Sequence, residues 1–188
     1  MARPANEPGR LREIVSHRTT TPVTIRRVDF LIRPLRRDDR EAVVALSLRA
    51  WAPVFASIEQ VLRGSGVYEA QHPDWRASQR EAVERVCARD AMTVWVAEGA
   101  GTVAGFTAVQ LHESDRMGEI YMLAVDPPYQ RRGIASALTE VATHWVADQG
   151  MTTLMVETGG DAGHAPARAT YDRAGFTLLP VSRYFKRL

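Results

Sequence analysis

The stretch that decides the fold is residues 119–149, EIYMLAVDPPYQRRGIASALTEVATHWVADQ. Residues 120–125 form a continuous apolar run, the pattern of a strand buried on both faces. A Pro127-Pro128 turn follows, and from there the apolar residues recur at Ile134, Leu138, Val141 and Trp145, which is helical spacing. Arg131, Arg132 and Gly133 open that helix. A helix start carries unsatisfied N–H groups and the positive end of the macrodipole, and a glycine lets an anion approach the main chain. Strand, turn and helix together predict a seat for a phosphorylated ligand.

Outward from this unit, helices alternate with strands. Upstream, residues 30–35 read as a short strand, and Asp38 with Glu41 as a capping box opening a helix striped by Val43, Leu46, Ala50 and Trp51. Pro53 is expected to end or kink that helix, with a second short helix over 54–62 and a turn at Gly64-Ser65-Gly66. Asp74 caps a helix over 75–89 with Ala82, Val83 and Val86 inward, and 92–98 and 102–111 form a hairpin through Gly99–Gly101. Downstream come a strand at 153–158, a Gly-rich loop to Gly163, a helix at 165–174 and a strand pair at 176–181 and 183–188. This order predicts an α/β fold with a mixed central β-sheet of about six or seven strands and helices on both faces.

Length and composition narrow the classes. A chain of 188 residues suits one domain with a substantial core. Residues 1–23 lack apolar periodicity and are expected to be a flexible extension before a single domain over 24–188. No uninterrupted apolar run approaches the ~20 residues of a membrane span, and the N-terminus has no apolar signal core, so a cytoplasmic location and no membrane partner are expected. The single cysteine, Cys87, excludes an internal disulfide framework. Arginine carries almost all the positive charge, which fits a GC-rich bacterial genome. Arg26, Arg27, Arg33, Arg36, Arg37 and Arg40 cluster early but interleave with Asp29, Asp38 and Asp39 and bring no stacking aromatics, so a nucleic-acid partner is not expected. The histidines and Cys87 show no metal-ligand spacing, and no metal is expected.

Two motifs carry a resemblance. Gln130-Arg131-Arg132-Gly133-Ile134-Ala135 resembles the Q/R-x-x-G-x-G/A signature of the GNAT superfamily of acyl-CoA-dependent N-acetyltransferases. Residues 164–176, from His164-Ala165-Pro166-Ala167 to Tyr171-Asp172-Arg173-Ala174-Gly175-Phe176, resemble the family's N-x-x-A-x-x-L-Y-x-x-x-G-F helix. The resemblance runs from about Phe30 to the C-terminus and is weakest between the first helix and Met92. It implies the GNAT fold with splayed central strands, the pantetheine arm of acetyl-CoA entering the gap, and it allows a homodimer. His164 stands where the family usually has asparagine, and Thr170 where it usually has leucine.

The resemblance also implies site residues. The pyrophosphate falls to backbone N–H groups of Arg132, Gly133, Ile134, Ala135 and Ser136, with Gln130 in the same loop and Arg131 or Arg132 adding charge. Donors for the thioester oxyanion fall to Leu123, Ala124 and Val125, and His164 takes the asparagine's place beside the pantetheine arm. Tyr171 matches the family's tyrosine and is the candidate general acid for the departing thiolate. For the base, Glu119 at the start of the signature strand is the candidate, with Glu157, His164 or no dedicated residue as alternatives. Trp51, Phe55, Tyr68, His72 and Trp75 either line an acceptor pocket or form core, and Glu59, Glu69 and Glu113 are acids available to a cationic acceptor.

The expected function is transfer of acetyl from acetyl-CoA to a primary amine by direct attack in a ternary complex, with a small-molecule acceptor. A protein N-terminus or lysine is the alternative acceptor. A non-catalytic acyl-CoA-binding regulatory module on the same fold is the alternative class.

Overall fold

The computed structural model describes residues 29–188 and the backbone of Ile25–Arg26. The extension expected over 1–23 lies outside the described residues. Six strands follow the chain in spatial order: β1 (Ile25–Arg26), β2 (Leu31–Pro34), β3 (Met92–Gly99), β4 (Thr102–His112), β5 (Met117–Val125) and β6 (Thr153–Val156). Neighbours are antiparallel except β5 and β6, which are parallel because a helix connects them. The sheet is therefore mixed, as the element order predicts.

Helices cover both faces. On one, α4 (Ile134–Asp148) buries Ile134, Ala137, Leu138, Val141 and Val146 against Ile32, Trp95, Val109 and Ile120. On the other, α1 (Arg40–Val61) and α3 (Trp75–Ala88) bury Val43, Val44, Leu46, Val83 and Val86 against Val94, Val96, Phe106 and Ala108. The short α2 (Val67–Gln71) links them, and α5 (Ala165–Arg173) follows β6.

Several elements depart from expectation. α1 is one helix through Pro53 rather than two segments. Proline removes one intrahelical bond, but tertiary packing of the apolar stripe outweighs that local loss. As one segment, residues 37–61 are long and apolar enough, by length and composition, to cross a membrane. Here Val43, Val44, Leu46 and Ser47 of that helix are buried in the core instead. The carboxylate fixing its start is Asp39, not Asp38: it accepts from the Arg36 N–H at 2.6 Å and pairs with both Arg33 nitrogens at 2.7 and 2.9 Å. Asp74 does cap α3, accepting from the Ala77 N–H at 3.0 Å. The expected terminal strands do not form. Residues 176–188 carry no strand, and Leu178, Leu179, Val181 and Tyr184 are exposed. Pro180 in this run has no N–H to give a ladder.

What positions the site is the end of β5. Its pairing with β6 stops at Ile120↔Val156, and on its other side a bulge leaves Tyr121 opposite no residue of β4. Bulges sharpen local twist, so beyond Ile120 the two parallel strands part. The splay implied by the family resemblance is present.

Candidate active site

The parted strands open a cleft of about 1130 Å³ bounded by β5, the start of α4, α5, β6 and α1. Its first wall is the free edge of β5. The Asp126 N–H bonds to the Ala104 carbonyl at 2.9 Å, on the β4 side. N–H and C=O directions alternate along a strand, so Val125 and Leu123 point theirs away from β4, into the cleft. The Val125 carbonyl accepts from Gln130 Nε2 at 3.1 Å, which agrees with this alternation. Ala124 faces β4 instead, paired with Phe106. Of the three expected oxyanion donors, alternation leaves the N–H groups of Leu123 and Val125 free for a ligand.

The second wall is the helix start. Gly133 sits at φ 80° with nothing within 4 Å of where a Cβ would be. The first helical bond runs from Ala137 N–H to the Gly133 carbonyl at 3.0 Å, so the N–H groups of Ile134, Ala135 and Ser136 have no intrahelical acceptor. Arg131, also at positive φ (60°), lines the cleft with Gln130 and Gly133. Arg132 does not: its guanidinium lies over the Tyr129 ring and donates to the Pro128 carbonyl at 3.0 Å. Between the two arginines, Arg131 supplies the cationic side chain on the cleft.

The third wall is α5. Tyr171 is buried and lines the cleft, and burial pushes its phenol pKa up to about 12. Its hydroxyl has no protein hydrogen-bond partner among the described residues. Seven residues earlier His164 lines the same cleft, its Nδ1 bonded to Asp161. Tyr171 and His164 thus project from one side of α5, two turns apart.

The candidate bases separate. Glu119 bonds to His112 Nε2 at 2.8 Å and is not among the cleft-lining residues. Glu157 lines the cleft, but its side chain is 68% exposed and paired with Arg183. Of the expected acceptor-side aromatics only Trp51 reaches the cleft. Phe55, Tyr68, His72 and Trp75 pack on one another, with Phe55 and Trp75 stacked at 4.4 Å. Glu59, Glu69 and Glu113 are also absent from the lining, where Arg131 and Arg173 are the cationic side chains.

Three residues of this site carried no sequence signal. Gln79 of α3 borders the cleft, and its Nε2 is buried without a partner. Asp126, nearly buried, receives a bidentate bond from Arg49 at 2.8 and 2.7 Å and so ties α1 to the end of β5. Asp161 holds His164. Only the Gly-rich character of the 159–163 loop hinted at a close approach there. No group of three or more His, Cys, Asp or Glu able to hold a metal occurs among the described residues.

A helix N-terminus beside an unpaired strand edge, with a buried phenol between strand and helix, accommodates a phosphorylated thioester. Similarity to known proteins gives the family. Residues 64–176 match the acetyltransferase (GNAT) family. The mycothiol acetyltransferase of Streptomyces bingchenggensis is 36% identical over 92 residues, covering 49% of this chain and 29% of that protein. That of Rhodococcus opacus is 31% identical over 159 residues, covering 78% and 51%. The chain thus spans about half or less of these relatives. Among solved structures, the PaiA N-acetyltransferase of Thermoplasma acidophilum in complex with coenzyme A superposes with a TM-score of 0.64 at 16% identity, over 81% of this chain and 92% of that one. Sequence match, fold and cleft concur, and the chain belongs to the GNAT acetyltransferase family, whose enzymes use acetyl-CoA.

Proposed function

We propose that this chain transfers the acetyl group of acetyl-CoA to the primary amine of a small molecule, by direct attack in a ternary complex. The pyrophosphate sits on the N–H groups from Arg132 to Ser136, with Arg131 beside it, and the pantetheine arm runs along the free edge of β5. The Leu123 N–H is the main donor to the thioester oxygen, with Val125 next along the edge. Tyr171 donates to the departing sulfur. The observation that carries this reading is Tyr171: its side chain is buried on the cleft wall, and its hydroxyl is protonated at neutral pH and has no protein hydrogen-bond partner among the described residues.

Direct attack is supported by Cys87. It is buried in α3, and burial pushes its thiol pKa up to about 11, which leaves it protonated and a poor nucleophile. A small acceptor is supported by Trp51, Pro53, Val54 and Gln79, which wall the cleft on the α1 and α3 side. The curated relatives are named for mycothiol rather than for a protein. Glu119, bonded to His112 and off the cleft lining, is not placed to take the amine's proton directly.

Thermal unfolding with acetyl-CoA, coenzyme A or ATP tests the cofactor site. A ligand at 100 times its dissociation constant adds about 2.7 kcal/mol to the folded state. Stabilisation by the first two and not by ATP supports it, and no stabilisation overturns it. Thiol release then separates acceptors. Turnover of free amines supports this proposal, turnover of peptides alone replaces the acceptor, and binding without transfer points to a regulatory module.

A further inference from the structure

We propose that His164 receives the proton of the attacking amine, held for that task by Asp161. This rests on the acetyl-transfer reading above and names the base within it. The loop before α5 is built around the pair. Asp161 shares a hydrogen bond with His164 Nδ1 and accepts the Gly163 N–H at 3.0 Å. The Ser57 hydroxyl oxygen of α1 accepts the same Gly163 N–H at 2.9 Å, which brings it beside Asp161. The Arg168 guanidinium donates to the carbonyls of Gly159 and Asp161.

Two glycines make this assembly possible. A Cβ at Gly163 would fall 2.7 Å from Ser57 Cβ and 3.0 Å from Val54 Cα, and one at Gly159 would fall 2.5 Å from both Asp161 Oδ1 and His164 Nδ1. The loop is pressed onto α1 with no room for side chains at those points.

The chemical consequence is a fixed tautomer. Burial disfavours a charged Asp161, yet the bonds from Ser57 and His164 together hold its pKa below the usual carboxylate value. An ionised carboxylate only accepts, so Nδ1 is the donating nitrogen, and in the neutral imidazole the lone pair is on Nε2. Nε2 has no protein partner among the described residues, and His164 lines the cleft. Other groups around it are Arg168 and Tyr171 of α5, Glu157 just past β6 with its partner Arg183, and the uncharged Ser57 and Val54 of α1.

In the reaction the amine nitrogen bonds to the thioester carbon and passes one proton to His164 Nε2, directly or through a water. The C–S bond breaks as the tetrahedral intermediate collapses, and the thiolate leaves on a hydrogen bond from the Tyr171 hydroxyl and takes its proton from solvent. Solvent in turn removes the amine's proton from His164. Asp161 is a positioning residue.

The test is the pH profile of kcat/KM by thiol release, with tyramine as probe amine and glucosamine as the second, beside acetyl-CoA affinity from thermal shifts. His164→Asn keeps a donor toward Asp161 and is the residue the resembled family carries. It should leave acetyl-CoA affinity within about twofold and lower kcat/KM about 100-fold, with the ascending limb moved up to the pKa of the amine. Asp161→Asn should move that limb to lower pH at unchanged acetyl-CoA affinity, since losing the carboxylate makes the imidazole less basic. A limb unmoved in both variants, or acetyl-CoA affinity falling in step with rate, overturns the assignment and leaves His164 a cofactor contact. No turnover of either amine by the unaltered protein that still binds coenzyme A overturns the acetyl-transfer reading itself.

Discussion

Replacing Tyr171 by phenylalanine removes one oxygen from a buried ring, and the structure sets how much that should matter. The hydroxyl makes no hydrogen bond to another of the described residues, and the ring keeps its contact with Phe176 at 5.6 Å between centroids. Stability of the free protein should therefore change by no more than about 0.5 kcal/mol. The rate effect depends on what the hydroxyl does. With its pKa near 12 against about 8.5 for a free thiol, full proton transfer to the thiolate is uphill by roughly 3.5 units, or about 5 kcal/mol. A hydrogen bond from the neutral phenol to the developing thiolate is the cheaper role, and one to a charged group contributes about 1.5–3 kcal/mol. Tyr171→Phe should then lower kcat about 10- to 150-fold, with acetyl-CoA affinity changed less than about threefold. Thiol-release kinetics with a saturating amine and thermal shifts with acetyl-CoA read the two quantities separately. The pH profile adds a check, since no descending limb from Tyr171 should appear below about pH 11. A loss beyond 1000-fold would refute the hydrogen-bond argument in favour of full proton transfer. Equal losses in rate and affinity would make Tyr171 a binding residue, and no loss would remove it from the chemistry.

Other perturbations follow from particular contacts. Gly133→Val puts a β-branched residue at φ 80°, a strain of about 1–2 kcal/mol, and a side chain where the pyrophosphate is placed; coenzyme A affinity by calorimetry should fall well beyond the loss of stability, and unchanged affinity would remove the phosphate seat. Gly118→Ala drives a Cβ to 2.5 Å from a Val146 methyl and should destabilise by about 1–3 kcal/mol; Val146→Ala should recover part of that in a double-mutant cycle by urea unfolding, and strict additivity would refute the contact. Arg33 holds the Asp39 carboxyl below its usual pKa, so this pair stabilises the fold above the unfolded carboxylate value near 3.9 and loses that contribution as pH falls through the lower folded value. Asp39→Asn should cost about 1–3 kcal/mol at pH 7, since Arg33 keeps its pair with Glu98, and should flatten the decline of Tm below about pH 4; an equally steep decline would place the acid sensitivity elsewhere.

The local pieces of this protein were legible in its residues. The apolar run at 120–125, the glycine at 133 and the helical spacing from Ile134 state strand, anion seat and helix within one short stretch, because backbone preference and periodicity are local properties. Tyr171 and His164 could be named because their motif fixes spacing along a single helix. Side-chain partners separated along the chain were not legible. Gly163 meets Ser57 across 106 residues, Arg49 reaches Asp126 across 77, and nothing near Glu119 in sequence announces that strand pairing brings His112 within a hydrogen bond. Packing also reversed two local signals: α1 runs through Pro53 because its buried stripe outweighs one lost hydrogen bond, and residues 176–188 leave the sheet despite their apolar content. Which arginine of the 131–132 pair reaches the cleft was settled only when Arg132 turned onto Tyr129. Sequence determined most of the elements and the stretch where a phosphorylated cofactor is proposed to sit; tertiary contact decided which side chains share the cleft, since that depends on distances between segments that no local pattern encodes.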